Sequence, residues 1–394
     1  FIYILIVERF YRVKMFIINE KIIFKKFFTK NTYFFLLAAF SISFIVWIIQ
    51  AVNNLSIVSE DGHSFFIYFS YSLLIFPKIF GKILPIIFFT SLFYTLIKYE
   101  NNNELKIFWI TGINKTKFYN FILKYTILFF ILHLLIAAYL GPYLQNKARN
   151  YIKDSTLDFF PSLFQEKKFI DTVDKLTIFI ESKNNNNQFT NIYLKDETNK
   201  DPRIIFAKKG YLISTENQKI LRLIDGKFMN MNGSKNTTSF NFSKTDFNLS
   251  NFSTKTTTHR KLQEMQISLL LKCIIYTSIK KEVYNNENIN CNKDSLNEIQ
   301  SEVYSRIFKP FYLFLLTSIV IFLITSNNEN KNFRILKPFI FILGITAIVI
   351  SEITVDYSGN GNLNMMLCIL FPIIMSLILS AIFYRSVNYT NNKL

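Results

Sequence analysis

The chain alternates long apolar runs with short charged segments, and six of the runs have a length that predicts membrane-spanning helices. A spanning helix needs ~20 consecutive, mostly apolar residues. The runs are Tyr33–Val52, Lys82–Leu96, Phe118–Leu140, Phe311–Thr325, Pro338–Ile353 and Asn364–Tyr384. The second run has an apolar approach, Phe65–Phe76, that stops at Pro77. Because proline interrupts helical hydrogen bonding, we expect an outer interfacial helix, a kink at Pro77 and then the span.

A different pattern fills the long polar stretch Gly141–Lys309. Apolar and polar residues alternate in short segments, as in strands with one buried face. The segments are "KLTIFIES", "NIYLKD", "RIIFAKKGYLI", "KILRLIDGKF" and "SFNFSKTDFNL". Turn-forming clusters separate them at Asn184–Asn187, Glu197–Pro202, Asp225–Gly226 and Asn232–Gly233. The pattern predicts an all-β sandwich or jelly roll, followed by helical connectors at Leu262–Thr277 and Asp294–Phe308 with an Asn-rich loop between them.

Charge predicts the orientation. Lys and Arg are frequent before the first span and in the loops after the second and fourth spans. The loops after the first and fifth spans hold Glu60, Asp61 and Asp356 but no Lys or Arg. Since cytoplasmic loops are enriched in Lys and Arg, we expect both termini in the cytoplasm and the β domain across the membrane. The predicted domains are a basic cytoplasmic segment (residues 1–32), three spans (33–142), a β domain with its connector (143–308) and three more spans (309–394).

Composition supports a polytopic membrane protein. Half of the residues are hydrophobic and the mean hydropathy is +0.23, which is rare for a soluble chain of this length. The net charge of +18 is spread along the chain and does not favour a nucleic-acid-binding domain. The first span lacks a small-residue cleavage site, so we expect no cleavable signal. The basic segment that begins at Met15 is typical of the cytoplasmic residues before a first span, so we expect residues 1–14 to lie upstream of the true start.

Residue types that usually carry chemistry are sparse and scattered. The cysteines are Cys273, Cys291 and Cys368, and the histidines are His63, His133 and His259. They form no CxxC pair and no metal-ligand spacing, and no P-loop motif occurs, so we expect no metal, cofactor or catalytic residue. Cys273 and Cys291 share the outer segment and could bridge, although two free thiols are the simpler expectation. His133 lies within a span, where we expect it to hydrogen-bond a neighbouring helix.

The segment "KYENNNELKIFWITGINKTKF", Lys98–Phe118, lies between the second and third spans and is too short in its apolar part to cross a bilayer. Leu105, Phe108, Trp109 and Gly112 share one face of a predicted helix, and Ile107 and Ile110 cover much of the other. A short helix that is apolar nearly all round must be buried in protein. Asn101–Asn103 are expected to cap this helix, and Glu100 and Glu104 suit its positive N-terminus.

Two classes of function fit this layout. The first is the membrane half of a transporter whose energy comes from a separate ATPase, which needs a compact helix to receive motion. The second is a membrane-anchored enzyme or sensor that acts through its β domain and needs no such helix. The simplest interpretation of the segment itself is a capped connector that folds against its own spans.

The segment also carries a resemblance. "NELKIFWITGIN" is similar to the coupling helix of the LptF/LptG permease family, which exports lipopolysaccharide from the inner membrane of Gram-negative bacteria. On that match Glu104 corresponds to the family's acidic residue and Gly112 to its helix-ending glycine, while Asn103 and Asn114 replace serines. Similar stretches are "FPKIFGKILP", "GPYLQNKAR" and "EVYSRIFKPFY". The resemblance runs from about Met15 to the end, and "LTIFIESKNNNNQFTNIYLKD" is more similar to LptF than to LptG.

The resemblance implies partners and roles. The partners would be an LptB-type ATPase dimer, an LptG-type paralogous permease, an LptC-type bridge protein and lipopolysaccharide. The ATPase-coupling helix would comprise Glu100, Glu104, Leu105, Phe108, Trp109 and Gly112, docked in a groove of one ATPase subunit. Phe108 and Trp109 would be the apolar anchors of that interface and Glu104 its charged contact. Spans one and five would line the gates of a lipid cavity between the two permeases.

Lys78 and Lys82 lie four positions apart and therefore share a helix face near the outer membrane surface. We expect them to contact the phosphates of the exported lipid, and the alternative is that they reach ordinary headgroups. An exporter of a different anionic lipid would fit the same residues.

Overall fold

The computed structural model describes residues 2–55, 64–154, 166–173, 175–184, 188–198, 202–215, 218–231, 237–249, 261–277, 285–286, 289–291, 293–325 and 331–391. His63, His259, Glu60, Asp61 and the predicted turn at Asn232–Gly233 lie outside these residues.

Helices occupy both ends of the chain. The first group is α1 (Ile2–Asn53), α2 (Phe65–Asn101), α3 (Glu104–Ile110), α4 (Lys115–Leu135) and α5 (Gly141–Asp154), with a π-helical turn at Ile136–Leu140 that joins α4 to α5. The second group is α6 (Ile267–Ile275), α7 (Lys293–Ile307), α8 (Tyr312–Val320), α9 (Lys331–Ser358) and α10 (Asn362–Asn391). Short 3₁₀ turns at Leu262–Glu264, Lys309–Phe311 and Ile321–Thr325 flank the helices of the second group.

The described part of the chain contains six helical segments that are long and apolar enough to cross a membrane. They are Lys21–Asn53, Phe65–Asn101, Lys115–Ile152, Ser295–Thr325, Phe333–Ser358 and Asn362–Asn388. Each contains one predicted run and extends past it, because the polar residues that flank the apolar runs are helical as well. The six predicted spans are therefore confirmed.

The second span differs from its prediction at Pro77. Helix α2 continues without interruption from Phe65 to Asn101, through both Pro77 and Pro85. The prediction of a separate interfacial helix that ends at Pro77 is wrong. A membrane helix tolerates proline because neighbouring helices, hydroxyl side chains and local adjustments satisfy the backbone groups that proline frees.

The chain forms two compact units, and the helical unit comprises Phe1–Val46, Phe76–Tyr143 and Leu262–Leu394. Its core is rich in aromatic side chains, among them Phe27, Tyr99, Phe108 and Phe118. Buried hydroxyl and amide groups join the helices within this core. Asn31 on α1 accepts hydrogen bonds from Ser91 (3.0 Å) and Thr95 (2.8 Å) on α2. Such contacts hold membrane helices together where apolar burial alone gives little preference for protein over lipid.

The two predicted helical connectors are confirmed as α6 and as α7, which forms the first part of the fourth helical segment Ser295–Thr325. They pack through a small cluster that includes Leu270, Ile299 and Val303. A disulfide joins Cys273 on α6 to Cys291, two residues before α7, with the Cα atoms 5.9 Å apart. The expectation of two free thiols is therefore wrong, because the helix pairing brings these side chains together. The Asn-rich piece between the helices includes the short antiparallel pair Asn285–Asn286 and Ile289–Asn290.

The second unit comprises Trp47–Ile75 and Leu144–Lys261 and contains one six-stranded antiparallel sheet. The strands are β1 (Phe169–Val173), β2 (Leu176–Lys183), β3 (Gln188–Asp196), β4 (Arg203–Thr215), β5 (Gln218–Met231) and β6 (Thr237–Asn248). Strands β2 to β6 match the five predicted segments, whereas β1 was not predicted. The inserted all-β domain is confirmed. Each described strand pairs with its neighbours in sequence, which is the order of a meander; a jelly roll with Greek-key connections has a different order.

One predicted turn lies inside a strand. Asp225 and Gly226 belong to β5, where Gly226 pairs with Ala207 on one side and Phe242 on the other. A Cβ atom on Gly226 would lie 2.2 Å from the ring of Phe242 and 2.3 Å from the Phe206 carbonyl oxygen. Glycine is therefore needed here for close packing within the sheet, and the predicted turn at Asp225–Gly226 is wrong.

Candidate functional site: the short helix between the second and third spans

The short helix α3 has two distinct ends. It follows Asn103, whose backbone is left-handed (φ 57°) and whose side chain makes no capping hydrogen bond. The predicted cap by an asparagine side chain is therefore not formed at Asn103. At the other end Gly112 has φ 85°, the Gly112 N–H donates to the Trp109 carbonyl (3.1 Å) and the Ile113 N–H donates to the Phe108 carbonyl (3.0 Å). These paired bonds are a Schellman motif, which requires a left-handed residue and favours glycine.

Glu104, the first residue of α3, is bound by the first span. The Lys30 ammonium on α1 donates to both carboxylate oxygens of Glu104 at 3.1 Å, and the Lys26 ammonium lies 3.7 Å away. The same Lys30 nitrogen lies 4.8 Å from the centre of the Tyr99 ring. Burial raises the pKa of Glu104, but the hydrogen bond and charge of Lys30 outweigh this effect, so the net pKa lies below its usual value.

The inner face of α3 packs into the core of the helical unit. Leu105 and Phe108 are buried, and Phe108 is only 5% exposed. The Phe108 ring lies 5.8 Å from Tyr99 and 5.6 Å from Phe118, and Tyr99 in turn lies 5.2 Å from Phe27. Aromatic contacts therefore connect α3 to α1, α2 and α4. Trp109 is half-buried, with its ring 5.9 Å from Phe118 and the Lys115 ammonium 5.8 Å from its centre.

The outer face of α3 is apolar and exposed. Ile107 is 55% and Ile110 is 84% exposed. The expectation that Phe108 anchors an interface with another protein is therefore wrong, because its ring fills this chain's own core. The side chains that α3 offers outward are Ile107 and Ile110, with the partly exposed Lys106 beside them.

Neighbouring residues extend this site. Glu100 belongs to the last turn of α2 rather than to α3, and it is buried. Lys337, near the start of α9, donates a hydrogen bond to Asn101 at 3.1 Å. The site thus draws on α1, α2, α4 and α9 as well as on α3. The partners of α3 that the sequence did not predict are Lys26, Lys30 and Tyr99. Lys30 and Glu104 are 74 positions apart, and no local pattern indicates their contact.

The other predicted site residues lie elsewhere on α2. The Lys78 ammonium donates a hydrogen bond to the Gln263 side chain, and Lys82 is exposed. His133 is buried and hydrogen-bonds the backbone of Gly81, so it joins the third span to the second as expected. Within the residues that the structure describes, no group of three His, Cys, Asp or Glu side chains could hold a metal ion.

Six membrane helices with a β domain inserted between the third and fourth define a polytopic membrane protein, and comparison with known proteins assigns its family. Residues 23–386 match the family described as lipopolysaccharide export system permease LptF/LptG. The chain therefore belongs to the LptF/LptG family, a family of transport permeases of the inner membrane and not of enzymes. It is also 24% identical over 368 residues to the uncharacterized protein RP871 of Rickettsia prowazekii (strain Madrid E), with 90% of this chain and 96% of that protein covered.

Proposed function

We propose that the protein is the LptF-type permease subunit of an ABC transporter that extracts lipopolysaccharide from the inner membrane. An LptB-type ATPase dimer supplies the energy, and an LptG-type permease and an LptC-type bridge protein complete the assembly. Family membership supports the export of lipopolysaccharide. The observation that carries the ATP-driven mechanism is the short helix α3, which is fixed by its inner face and exposes an apolar outer face.

The two faces of α3 suit a coupling element. Ile107 and Ile110 together present an apolar patch next to charged residues, which is the composition of the centre of a protein–protein interface. The inner face is held by Phe108 and by the bond between Glu104 and Lys30. A push on Ile107 and Ile110 would therefore reach α1 and α2 through direct contacts. Ile107 and Ile110 are one helical turn apart and both exposed, and adjoining exposed apolar side chains are a feature of interaction sites.

Orientation is the second element of the proposal. Both termini and α3 lie on the cytoplasmic side, and the β domain lies in the periplasm. The distribution of Lys and Arg supports this arrangement. The disulfide between Cys273 and Cys291 supports it independently, because structural disulfides persist in oxidising compartments such as the periplasm and are rare in the cytosol.

Spans one and five are the proposed gates. Both expose large apolar side chains, such as Phe40 and Ile45 on α1 and Ile342 on α9. In a membrane these faces contact lipid or another protein, as the walls of a lipid cavity shared with a second permease would. Lys337 connects the start of α9 to Asn101, three residues before α3 begins. Motion of α3 would therefore reach both gate helices, α1 through Lys30 and α9 through Lys337.

Reconstitution tests the proposal. The purified chain, an LptB-type ATPase, an LptG-type permease and an LptC-type protein are placed in vesicles that contain lipopolysaccharide, and ATP-dependent release of the lipid is measured. We expect release only when all components and ATP are present, and leaving out this chain is the matched control. Release that persists without this chain, or that does not need ATP, would contradict the proposal.

A further inference from the structure

The sheet of the β unit has a buried face and an exposed face, because successive residues of a strand point to opposite sides. Ile178, Ile192 and Ile205 point into the buried core. Phe179, Tyr193 and Phe206 alternate with these residues, so they lie on the opposite, exposed face. The register places these three side by side, since Phe179 pairs with Tyr193 and Tyr193 pairs with Phe206.

These aromatic residues form a continuous row across the strands. The rings of Tyr193 and Phe206 are 5.2 Å apart. Phe169 extends the row at the sheet edge, 4.7 Å from Phe179 and 6.0 Å from Tyr193, and it is 69% exposed. Exposed aromatic rings in contact with one another are an apolar surface of the kind that marks a binding site.

A groove of about 810 Å³ runs along this row. The row continues to Lys227 on β5, which pairs with Phe206. Asn191, Lys208 and Asp225 also line the groove, and these three residues form its polar wall. The volume falls within the range of ~300–1,000 Å³ that is usual for small-molecule sites. The groove therefore has one aromatic wall and one wall of amide, ammonium and carboxylate groups.

Two residues of the polar wall have an unusual backbone. Asn191 has φ 45° and Asp225 has φ 51°, both in the left-handed region although they lie within strands. Left-handed residues other than glycine cost free energy and are enriched at ligand sites. Both side chains line the groove, so the departures from regular strand geometry fall where a ligand would be contacted.

The chemistry of the walls selects among ligand classes. A fatty acyl chain would cover the Lys208 ammonium and the Asp225 carboxylate without offering either a polar contact. A peptide that binds by strand addition pairs with a sheet edge, but the backbone groups under this groove are already paired within the sheet. A sugar ring fits both walls, because its C–H face packs on aromatic rings while its hydroxyl groups bond to amides and carboxylates. The two lysines add a preference for phosphate or carboxylate groups on the sugar.

We propose that this groove binds a saccharide that carries phosphate or carboxylate groups. The inference rests on the proposed function in one respect, since the glycan part of the exported lipid is a source of such a saccharide, and a free oligosaccharide is the other. The aromatic row packs against the sugar rings, and Lys208 and Lys227 pair with the anionic groups. The groove thus contacts the polar part of the substrate, separately from any site for its acyl chains.

Binding to the purified full-length chain in detergent tests the inference by titration calorimetry without ATP. The probes are the phosphorylated oligosaccharide released from lipopolysaccharide by mild acid, the same oligosaccharide after removal of phosphate, and intact lipopolysaccharide. The variants are Lys208→Gln with Lys227→Gln, Phe206→Ser and Phe206→Tyr. Lys209→Gln is the matched control, since Lys209 is exposed and follows Lys208 but does not line the groove. Circular dichroism confirms that each variant keeps its strands.

We expect the double lysine variant to bind the phosphorylated oligosaccharide about tenfold more weakly, as the loss of a charge-assisted contact predicts, and Lys209→Gln to bind it normally. Phe206→Ser should weaken the binding of both oligosaccharides, and Phe206→Tyr should bind both about as well as wild type. The inference would be overturned if the double variant and Lys209→Gln bound the phosphorylated oligosaccharide equally well. It would also be overturned if the wild-type chain bound intact lipopolysaccharide but neither oligosaccharide. If the groove variants bind saccharide normally but no longer co-purify with the second permease, the groove is a protein interface and the inference is overturned. A wild-type chain that binds saccharide in the groove but supports no ATP-driven release would contradict the proposed function only.

Discussion

The Lys30 ammonium lies 3.1 Å from both carboxylate oxygens of Glu104, and this contact joins the first span to the start of α3. Glu104 therefore already has a partner within the chain. A contact between Glu104 and an ATPase would have to share this carboxylate with Lys30 or displace it. In the proposed mechanism, a movement of α3 would act on the first span through this pair.

The Lys30–Glu104 pair predicts a small effect on stability. Lys30 is 41% exposed and water screens the pair, so Lys30→Gln or Glu104→Gln should cost no more than ~1 kcal/mol. The reversed pair, Lys30→Glu with Glu104→Lys, should regain only part of that loss, because Glu104→Lys also puts a positive charge beside Lys26 and at the N-terminus of α3. It should not restore ATP-driven release, because a facing ATPase group would meet the wrong charge. Lys26→Gln is the control, since Lys26 lies farther away. Thermal unfolding in detergent checks the effect on stability, and a loss well above ~1 kcal/mol in either single variant would contradict it.

The same pair predicts a dependence on pH. The pKa of Glu104 is lowered in the folded state, so its contribution to stability is present above the ordinary carboxyl pKa of 4.5. The contribution is lost as the pH falls from there through the lowered pKa. The stability difference between wild type and Glu104→Gln should therefore be constant near neutral pH and should shrink below pH 4.5. A difference that grows in acid would contradict the assigned contact.

Phe108 should affect folding rather than docking. Its ring is buried among Tyr99 and Phe118, so Phe108→Ala should lower the free energy of unfolding by ~3–5 kcal/mol. Phe108→Leu fills most of the space and should cost much less. Thermal unfolding of both variants provides the measurement. Normal stability of Phe108→Ala, together with loss of ATPase binding, would return Phe108 to the role of an interface anchor.

The disulfide predicts a pattern of thiol labelling. In whole cells Cys273 and Cys291 should resist a maleimide polymer until a reductant is added. Cys273→Ser with Cys291→Ser should lower stability by ~3 kcal/mol, because the bond closes a loop over a separation of 18 residues. Cys368→Ser is the control, since Cys368 is a free, buried thiol and should leave both results unchanged. Labelling of Cys273 without reductant would contradict the bond.

Lys78 and Lys82 remain proposed contacts to lipid phosphate. Lys78→Gln with Lys82→Gln should weaken crosslinking of lipopolysaccharide to the spans and leave assembly with the partners intact. Gln263→Ala separates the two roles of Lys78, because it removes the hydrogen bond to Gln263 and leaves the ammonium in place. Unchanged crosslinking in the double variant would mean that these side chains reach only ordinary headgroups.

Periodicity predicted most of the fold. The six spans and strands β2 to β6 follow from runs and alternation that depend only on local sequence. The failures depend on contacts that are distant in sequence. Gly226 resembled a turn residue, yet it is needed because Phe242 occupies the space of its missing side chain. Cys273 and Cys291 pair because α6 and α7 pack together, and no spacing rule specifies that packing.

The sequence predicted where the site lies in the chain, but it did not predict which face of α3 is buried and which is exposed. The sequence placed α3 between the second and third spans, and the resemblance to the LptF/LptG coupling helix identified Gly112 as its end. Helical spacing showed that Phe108 and Ile110 lie on different faces, but it could not show which face the chain itself covers. That choice depends on Tyr99, Phe118 and Phe27, which three other helices bring together.

Co-purification of the ATPase with variants of Ile110 tests the central claim most directly. Ile110 is the most exposed residue of α3 and has no role in the core, so its substitution should leave folding unchanged. We predict that the Ile110→Glu chain no longer co-purifies with the ATPase and no longer supports ATP-dependent lipid release, while the Ile110→Leu chain does both. An Ile110→Glu chain that still carries the ATPase and still supports release would contradict the claim that α3 is where the ATPase moves this permease.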